Sequence, residues 1–69
     1  MMIKGSDIQI GMMIKFEYGL DDNWVIAKVI NIENNIITFK MYNRFDKTLS
    51  KELHQVVIES NDTVQQYEV

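Results

Sequence analysis

Aromatic and acidic side chains are concentrated in the middle of this 69-residue chain, between residues 14 and 42. Aromatic rings contribute much of the affinity at protein interfaces, because one ring buries a large area at a low entropic cost. A pair of neighbouring aspartates beside the rings adds charge that attracts a cationic side chain. We therefore expect an aromatic edge that recognises a protein or peptide. Its residues are Tyr18, Asp21, Asp22, Trp24, Phe39 and Tyr42.

A row of lysines is the second candidate for a binding site. Lys15, Lys28 and Lys40 lie in three successive strand-like runs, where they align across the outer face of a sheet. Basic stripes with interleaved aromatic rings bind single-stranded nucleic acid. The net charge of −3 and the position of Glu17 act against this alternative. We therefore expect a protein partner, with nucleic acid as the alternative.

The chain offers no group of residues suited to catalysis. It has no cysteine and one histidine, which excludes the usual four-ligand zinc sites. His54 follows Ser50 by four residues, but no carboxylate is placed to orient the imidazole. Asp21 and Asp22 supply too few oxygen ligands for calcium. We expect a protein that is not an enzyme and that uses neither a cofactor nor a metal.

Five short strands position these side chains. Alternation of apolar and polar residues predicts strands at 12–18, 24–32, 36–42, 45–49 and 55–59. A helical turn at 50–54, capped by Ser50, precedes the last strand. Residues 1–10 are a lead-in that covers one end, and the pattern does not decide between helix and strand for 60–69. The prediction is an all-β, five-stranded barrel whose core covers residues 11–58.

The hairpin formed by the second and third strands allows two registers, which bury opposite faces. A two-residue turn directs Lys28 inward. A three-residue turn at residues 33–35 places Val29 opposite Phe39 and leaves the lysine outside, and we favour it because an unpaired buried lysine is costly. The favoured register leaves four isoleucines on the outer face, where they predict a homo-oligomer or partner patch. They are Ile26, Ile30, Ile32 and Ile36.

The segments GMMI (11–14), DNWVIAKV (22–29) and ITFKMYN (37–43) resemble the strand motifs of Tudor domains, which are SH3-like small barrels. The resemblance implies an aromatic cage that binds a methylated lysine or arginine through cation–π attraction. The cage positions are Tyr18, Val25, Phe39 and Tyr42, with Asn43 or Arg44 as the polar member. In SH3 domains proper, a tryptophan at the spacing of Trp24 from Ala27 forms the floor of a peptide groove.

The length fits a single domain, and no long apolar run occurs near the N-terminus. We therefore expect a cytoplasmic protein without a membrane segment. Abundant Ile and Asn and the absence of Pro are typical of AT-rich coding sequences. Together with the small size, this composition fits a phage or mobile-element accessory protein that acts on a host protein.

Overall fold

Short antiparallel strands make up most of the computed structural model, which describes residues 1–19 and 23–68. The all-β prediction is confirmed, although the described residues form seven strands rather than five. The strands are β1 (Met2–Lys4), β2 (Met13–Glu17), β3 (Trp24–Glu33), β4 (Ile36–Asn43), β5 (Thr48–Leu49), β6 (His54–Val57) and β7 (Thr63–Gln66). A three-residue 3-10 helix, Gly5–Asp7, follows β1. Among the described residues, no helix is long and apolar enough to cross a membrane.

The strands form a sheet that does not close on itself. Its order is β1-β7-β2-β3-β4-β5, and β6 also pairs with β4. The two chain ends, predicted as a lead-in and a tail, pair with each other at Ile3 and Val64. β7 then pairs with β2, so it joins the N-terminal strand to the central hairpin. Residues 63–66, within the segment predicted as a tail, are therefore part of the sheet.

The helical turn predicted at residues 50–54 is wrong. The Ser50 backbone N–H donates to the Met41 carbonyl at 2.8 Å, and the Met41 N–H donates to Ser50 Oγ at 3.0 Å. Ser50 thus satisfies the edge of β4 instead of capping a helix, and His54 already belongs to β6. Polar side chains that bond to nearby backbone groups favour such non-helical conformations.

A β-bulge at Ile30 combines the two registers that the hairpin sequence allows. Near the turn, Ile32 pairs with Ile37, which is the register of a two-residue turn. Beyond the bulge, Val29 pairs with Phe39, as predicted for the other register. The three-residue turn itself is wrong, because only Asn34 and Asn35 lie between the strands. One extra residue in β3 therefore keeps apolar side chains inward on both sides of the bulge.

The core lies against the inner face of this curved sheet. Alternate residues of each long strand point into it, as the period of a β-strand requires. The buried side chains are Ile8, Ile14, Phe16, Ala27, Val29, Ile37, Phe39, Ile58 and Val64. In the part of the chain that the structure describes, this core contains no buried polar residue. Its stability therefore comes from apolar burial.

The four isoleucines predicted as one outer patch do not share one exposed surface. Ile32 packs against the core, because the bulge turns it inward. Ile26 and Ile30 are half-buried, and Ile36 alone is exposed. The prediction placed all four on one face because it applied one register to the whole hairpin.

Candidate functional site

The outer face of the sheet carries the cations of the central strands. Ile14, Ala27 and Phe39 point into the core, so their strand neighbours point outward. Lys28 is the direct cross-strand partner of Lys40, and Lys15 lies one row away opposite Ile26. The three lysines therefore lie on one face of the sheet.

A groove of about 460 Å³ lies on this face, beside the C-terminal half of β4. Trp24 forms part of its wall and is 55% exposed, at the start of β3 opposite Glu17. Tyr42 and Phe45 add two further rings, and Lys15 and Arg44 add two cations. The residues that line the groove are Lys15, Trp24, Val25, Ile26, Met41, Tyr42, Asn43, Arg44 and Phe45.

The turn between β4 and β5 fixes one wall of the groove. Asn43 Oδ1 accepts a hydrogen bond from the Phe45 N–H at 2.9 Å, and the Asn43 carbonyl accepts one from the Lys47 N–H at 2.7 Å. Lys47 takes the left-handed conformation that closes the turn, with φ of 59°. The Arg44 guanidinium lies 5.1 Å from the centre of the Phe45 ring, within the range of cation–π attraction. A cation and a ring are thereby held side by side at the groove.

Tyr18 and Phe39, two of the residues predicted for the binding edge, lie on the other side of the sheet. Their rings meet edge to face at 5.3 Å, and both approach His54, whose ring stacks on Phe39 at 5.6 Å. Phe39 is fully buried and Tyr18 half-buried. We name Phe16, Tyr18, Phe39 and His54 the inner ring cluster.

The cage implied by the Tudor resemblance is therefore not assembled. Tyr42 lies on the outer face, since its neighbour Met41 pairs with the buried Ala27. Tyr18 and Phe39 face inward, whereas the half-buried Val25 packs against the core and also lines the groove. The resemblance assigned four positions to one site, and the alternation of β4 distributes them over two faces.

Two aromatic residues near the groove were missed by sequence reasoning. Phe45 was predicted at the overlap of a turn and a strand and was not assigned to a site, but it belongs to the turn that forms the groove wall. The Tyr67 ring lies 6.3 Å from the Tyr42 ring, and the Tyr67 N–H donates to the Met13 carbonyl at 2.9 Å. Alternation from the buried Val64 would place Tyr67 on the outer face if the tail were read as a strand.

The remaining predictions for the site concern the acidic rim and metal binding. Asp21 and Asp22, the predicted acidic rim, lie outside the described residues. Within residues 1–19 and 23–68, no group of three or more acidic or histidine side chains could hold a metal ion. Comparisons with family models, curated proteins and solved structures find no match to this chain.

Proposed function

We propose that the protein is a non-enzymatic recognition module that binds an extended protein segment in the outer-face groove. The exposure of Trp24 carries this proposal. Trp24 is 55% exposed, so a large apolar area of its side chain remains in contact with water. The core is formed by other apolar side chains and does not include Trp24. Two more rings, of Tyr42 and Phe45, line the same groove. Clustered, accessible rings of this kind are typical of binding hot spots.

The charge of the groove indicates which segments it would favour. Lys15 and Arg44 line it, and Lys28 and Lys40 lie on the same face. Arginine binds carboxylates with two parallel hydrogen bonds, and complementary charge directs partners to the correct orientation. We therefore propose a ligand with carboxylate side chains around an apolar residue that contacts Trp24.

The proposed fold family is an open variant of the SH3/Tudor-like small barrel. The meander β2-β3-β4-β6 and the return of β7 to β2 support this proposal. Trp24 also precedes Ala27 by the same spacing as the tryptophan that forms the floor of the peptide groove in SH3 domains. The proposed peptide site and the proposed fold therefore agree with each other.

One observation favours a second candidate, a module that binds single-stranded nucleic acid. Lys28 and Lys40 are direct cross-strand partners. Like charges in this arrangement destabilise a sheet, and a polyanion would relieve their repulsion. The exposed rings of Trp24 and Phe45, which line the groove, offer surfaces on which bases stack.

Fluorescence anisotropy with labelled ligands separates the two candidates. The probes are a Glu-rich peptide with one central Leu, the same peptide with Gln replacing Glu, and a short oligothymidylate. We expect the acidic peptide to bind best. Trp24→Ala should weaken its binding roughly 30-fold, because a hot-spot side chain contributes about 2 kcal/mol or more. Ile10→Ala, which removes an exposed apolar side chain that does not line the groove, is the matched control.

Three outcomes decide between the alternatives. Equal affinity of Trp24→Ala and the unmodified protein for the acidic peptide would contradict the groove as the site. Preference for the oligonucleotide, with affinity that falls steeply as salt rises, would select the second candidate. Weaker oligonucleotide binding by Lys28→Gln, but not by Lys4→Gln, would assign that binding to the lysine face.

A further inference from the structure

We infer that the segment bound in the outer-face groove continues past Trp24 into a second cavity, where it adds a short strand and places a lysine or arginine side chain. This inference rests on the proposed function and specifies the ligand further. The second cavity, which we name the cleft, has a volume of about 450 Å³ and is bordered by β2, β6 and β7. In the described part of the chain, β6 pairs with neither β2 nor β7, and the cleft separates them.

Trp24 connects the cleft to the groove. Both Trp24 and Lys15 line the two cavities. A segment that contacts the Trp24 ring therefore lies at the entrance to each cavity. An extended segment advances about 3.3 Å per residue, so a few residues on either side of this contact reach both cavities.

β2 presents unpaired backbone groups to the cleft. The Tyr18 N–H donates to the Asn23 carbonyl at 2.8 Å, on the side of β3. Because this direction alternates along an antiparallel strand, the backbone groups of Glu17 point away from β3. The pairing of β2 with β7 ends at Lys15 and Gln65, so no described strand pairs with Glu17 on that side. Glu17 lines the cleft.

β6 supplies a second unpaired edge. The Ile58 N–H donates to the Asn35 carbonyl at 2.9 Å, in the direction of β4, so the backbone groups of Val57 point away from β4. Val57 also lines the cleft. Extended peptides add to a sheet through main-chain hydrogen bonds to edges of this kind. A segment inserted in the cleft therefore meets hydrogen-bonding groups on both walls.

The side chains of the cleft fit a long cation. Phe16, Ile58 and Val64, which belong to the buried core, line it. Glu17 and Asp62 add two carboxylates. Lysine and arginine pack their methylene stems on apolar surfaces and keep the charged end at polar groups. Carboxylates bind that end through charge-assisted hydrogen bonds, whereas a purely apolar side chain would make no use of them.

The charges of the two cavities give the bound segment a polarity. Lys15 and Arg44 line the groove, whereas Lys15 lines the cleft together with the carboxylates of Glu17 and Asp62. The groove is therefore cationic, and the cleft has an excess of negative charge. Complementary charge fixes the register of a ligand. The segment thus has acidic residues on one side of the residue that contacts Trp24 and a basic residue on the other.

Fluorescence anisotropy with tailed peptides tests this inference. The probes are the Glu-rich peptide with one central Leu, without a tail and with a Thr-Lys-Thr tail at either its N-terminus or its C-terminus. We expect the lysine tail to raise the affinity about fivefold or more at one terminus only, because the segment lies in one direction. A Thr-Gln-Thr tail at that terminus should give a smaller gain. Equal gains at both termini would indicate attraction to the net charge of −3 and would overturn the inference.

Removal of each carboxylate locates the basic side chain. Glu17→Gln and Asp62→Asn should each remove most of the gain from the lysine tail and leave the affinity for the untailed peptide unreduced. Asp62→Asn retains an oxygen that accepts from the Glu59 N–H, a bond that Asp62 Oδ2 makes at 2.9 Å. Glu33→Gln is the matched control, because Glu33 is exposed, lines neither cavity and changes the net charge equally. A full gain in both cleft variants would overturn the inference.

Amide hydrogen exchange tests the added strand. The tailed peptide should slow exchange of the Glu17 and Val57 N–H groups. Exchange at Gln55 should not change, because its N–H also points away from β4 but Gln55 does not line the cleft. Unchanged exchange at both Glu17 and Val57 would overturn the added strand.

The peptide series separates this inference from the proposed function. Failure of every peptide to bind would contradict both together. Binding of the untailed peptide that depends on Trp24, without a gain from either lysine tail, would overturn the inference alone and leave the proposed function in place.

Discussion

Two phenylalanines six positions apart show how differently similar residues act in this protein. Phe39 is fully buried and contacts the rings of Phe16, Tyr18 and His54. Phe45 is 84% exposed in the turn after β4, beside Arg44. The alternation of β4 predicted that Phe39 faces inward. No periodicity extends into the turn, so the sequence could not indicate what Phe45 contacts.

The stability of single-site variants should reflect this difference. Phe39→Ala removes a buried ring and leaves a cavity, so we expect the free energy of unfolding to fall by about 3–5 kcal/mol. For so small a domain, this loss approaches the whole stability. Phe45→Ala, the matched control, should change it by less than ~0.5 kcal/mol. Urea denaturation followed by Trp24 fluorescence measures both, and similar losses in the two variants would contradict the assigned packing.

Tyr18 illustrates a limit of prediction from residue type. It stands next to the loop that precedes Trp24, so sequence position alone suggested that both rings share a binding edge. In the structure, Tyr18 continues the inward row of Ile14 and Phe16, and Trp24 belongs to the outward row of β3. Alternation within each strand therefore decided the placement more reliably than proximity along the chain did.

Among the elements, the β3–β4 hairpin was predictable in its strands but not in its irregularity. Both strand positions and the Val29–Phe39 pairing agree with the prediction. The sequence did not predict the bulge at Ile30, because the turn and the strand residues each favoured a different register for the hairpin. The turn favoured one register, and outward placement of Lys28 required the other. A bulge satisfies both requirements at the cost of one unpaired residue.

Deletion of Ile30 tests the bulge directly. The deletion makes Val29 and Asn31 neighbours, so the pairing becomes regular along the whole hairpin. We expect a folded protein that retains contacts between Val29 and Phe39, as measured by nuclear Overhauser effects. Deletion of Thr38 in the opposite strand is the matched control, because it reverses the side-chain direction beyond it and should unfold the protein. Equal damage from both deletions would show that the bulge is placed incorrectly.

The terminal strands could not be predicted for a simpler reason. β1 has three residues and β7 has four, too few to establish a period against neighbouring turns. Each is stabilised by the other strand at Ile3 and Val64, a contact between opposite ends of the chain. Local sequence patterns do not indicate pairing between segments that are distant along the chain. The prediction therefore had fewer strands than the described residues form.

For the whole molecule, the two faces of the sheet differ in the side chains that they carry. The inner face holds the apolar core and the inner ring cluster, and the outer face holds the groove and the lysines. The overall charge of −3 conceals this local excess of cations. Composition alone therefore argued against an anionic ligand, whereas strand register places Lys15, Lys28 and Lys40 together. The charge of the local surface, rather than the net charge of the chain, determines which ligand is attracted.

Chemical-shift mapping with the Glu-rich peptide tests most directly whether the outer-face groove is the binding site. Titration of ¹⁵N-labelled protein should shift the Trp24 indole N–H and the amides of Lys15, Tyr42 and Arg44 together, with one saturation curve. The inner ring cluster should remain unchanged, because the sheet separates it from the groove. Shifts confined to Tyr18, Phe39 and His54, with a stationary Trp24 signal, would contradict the account.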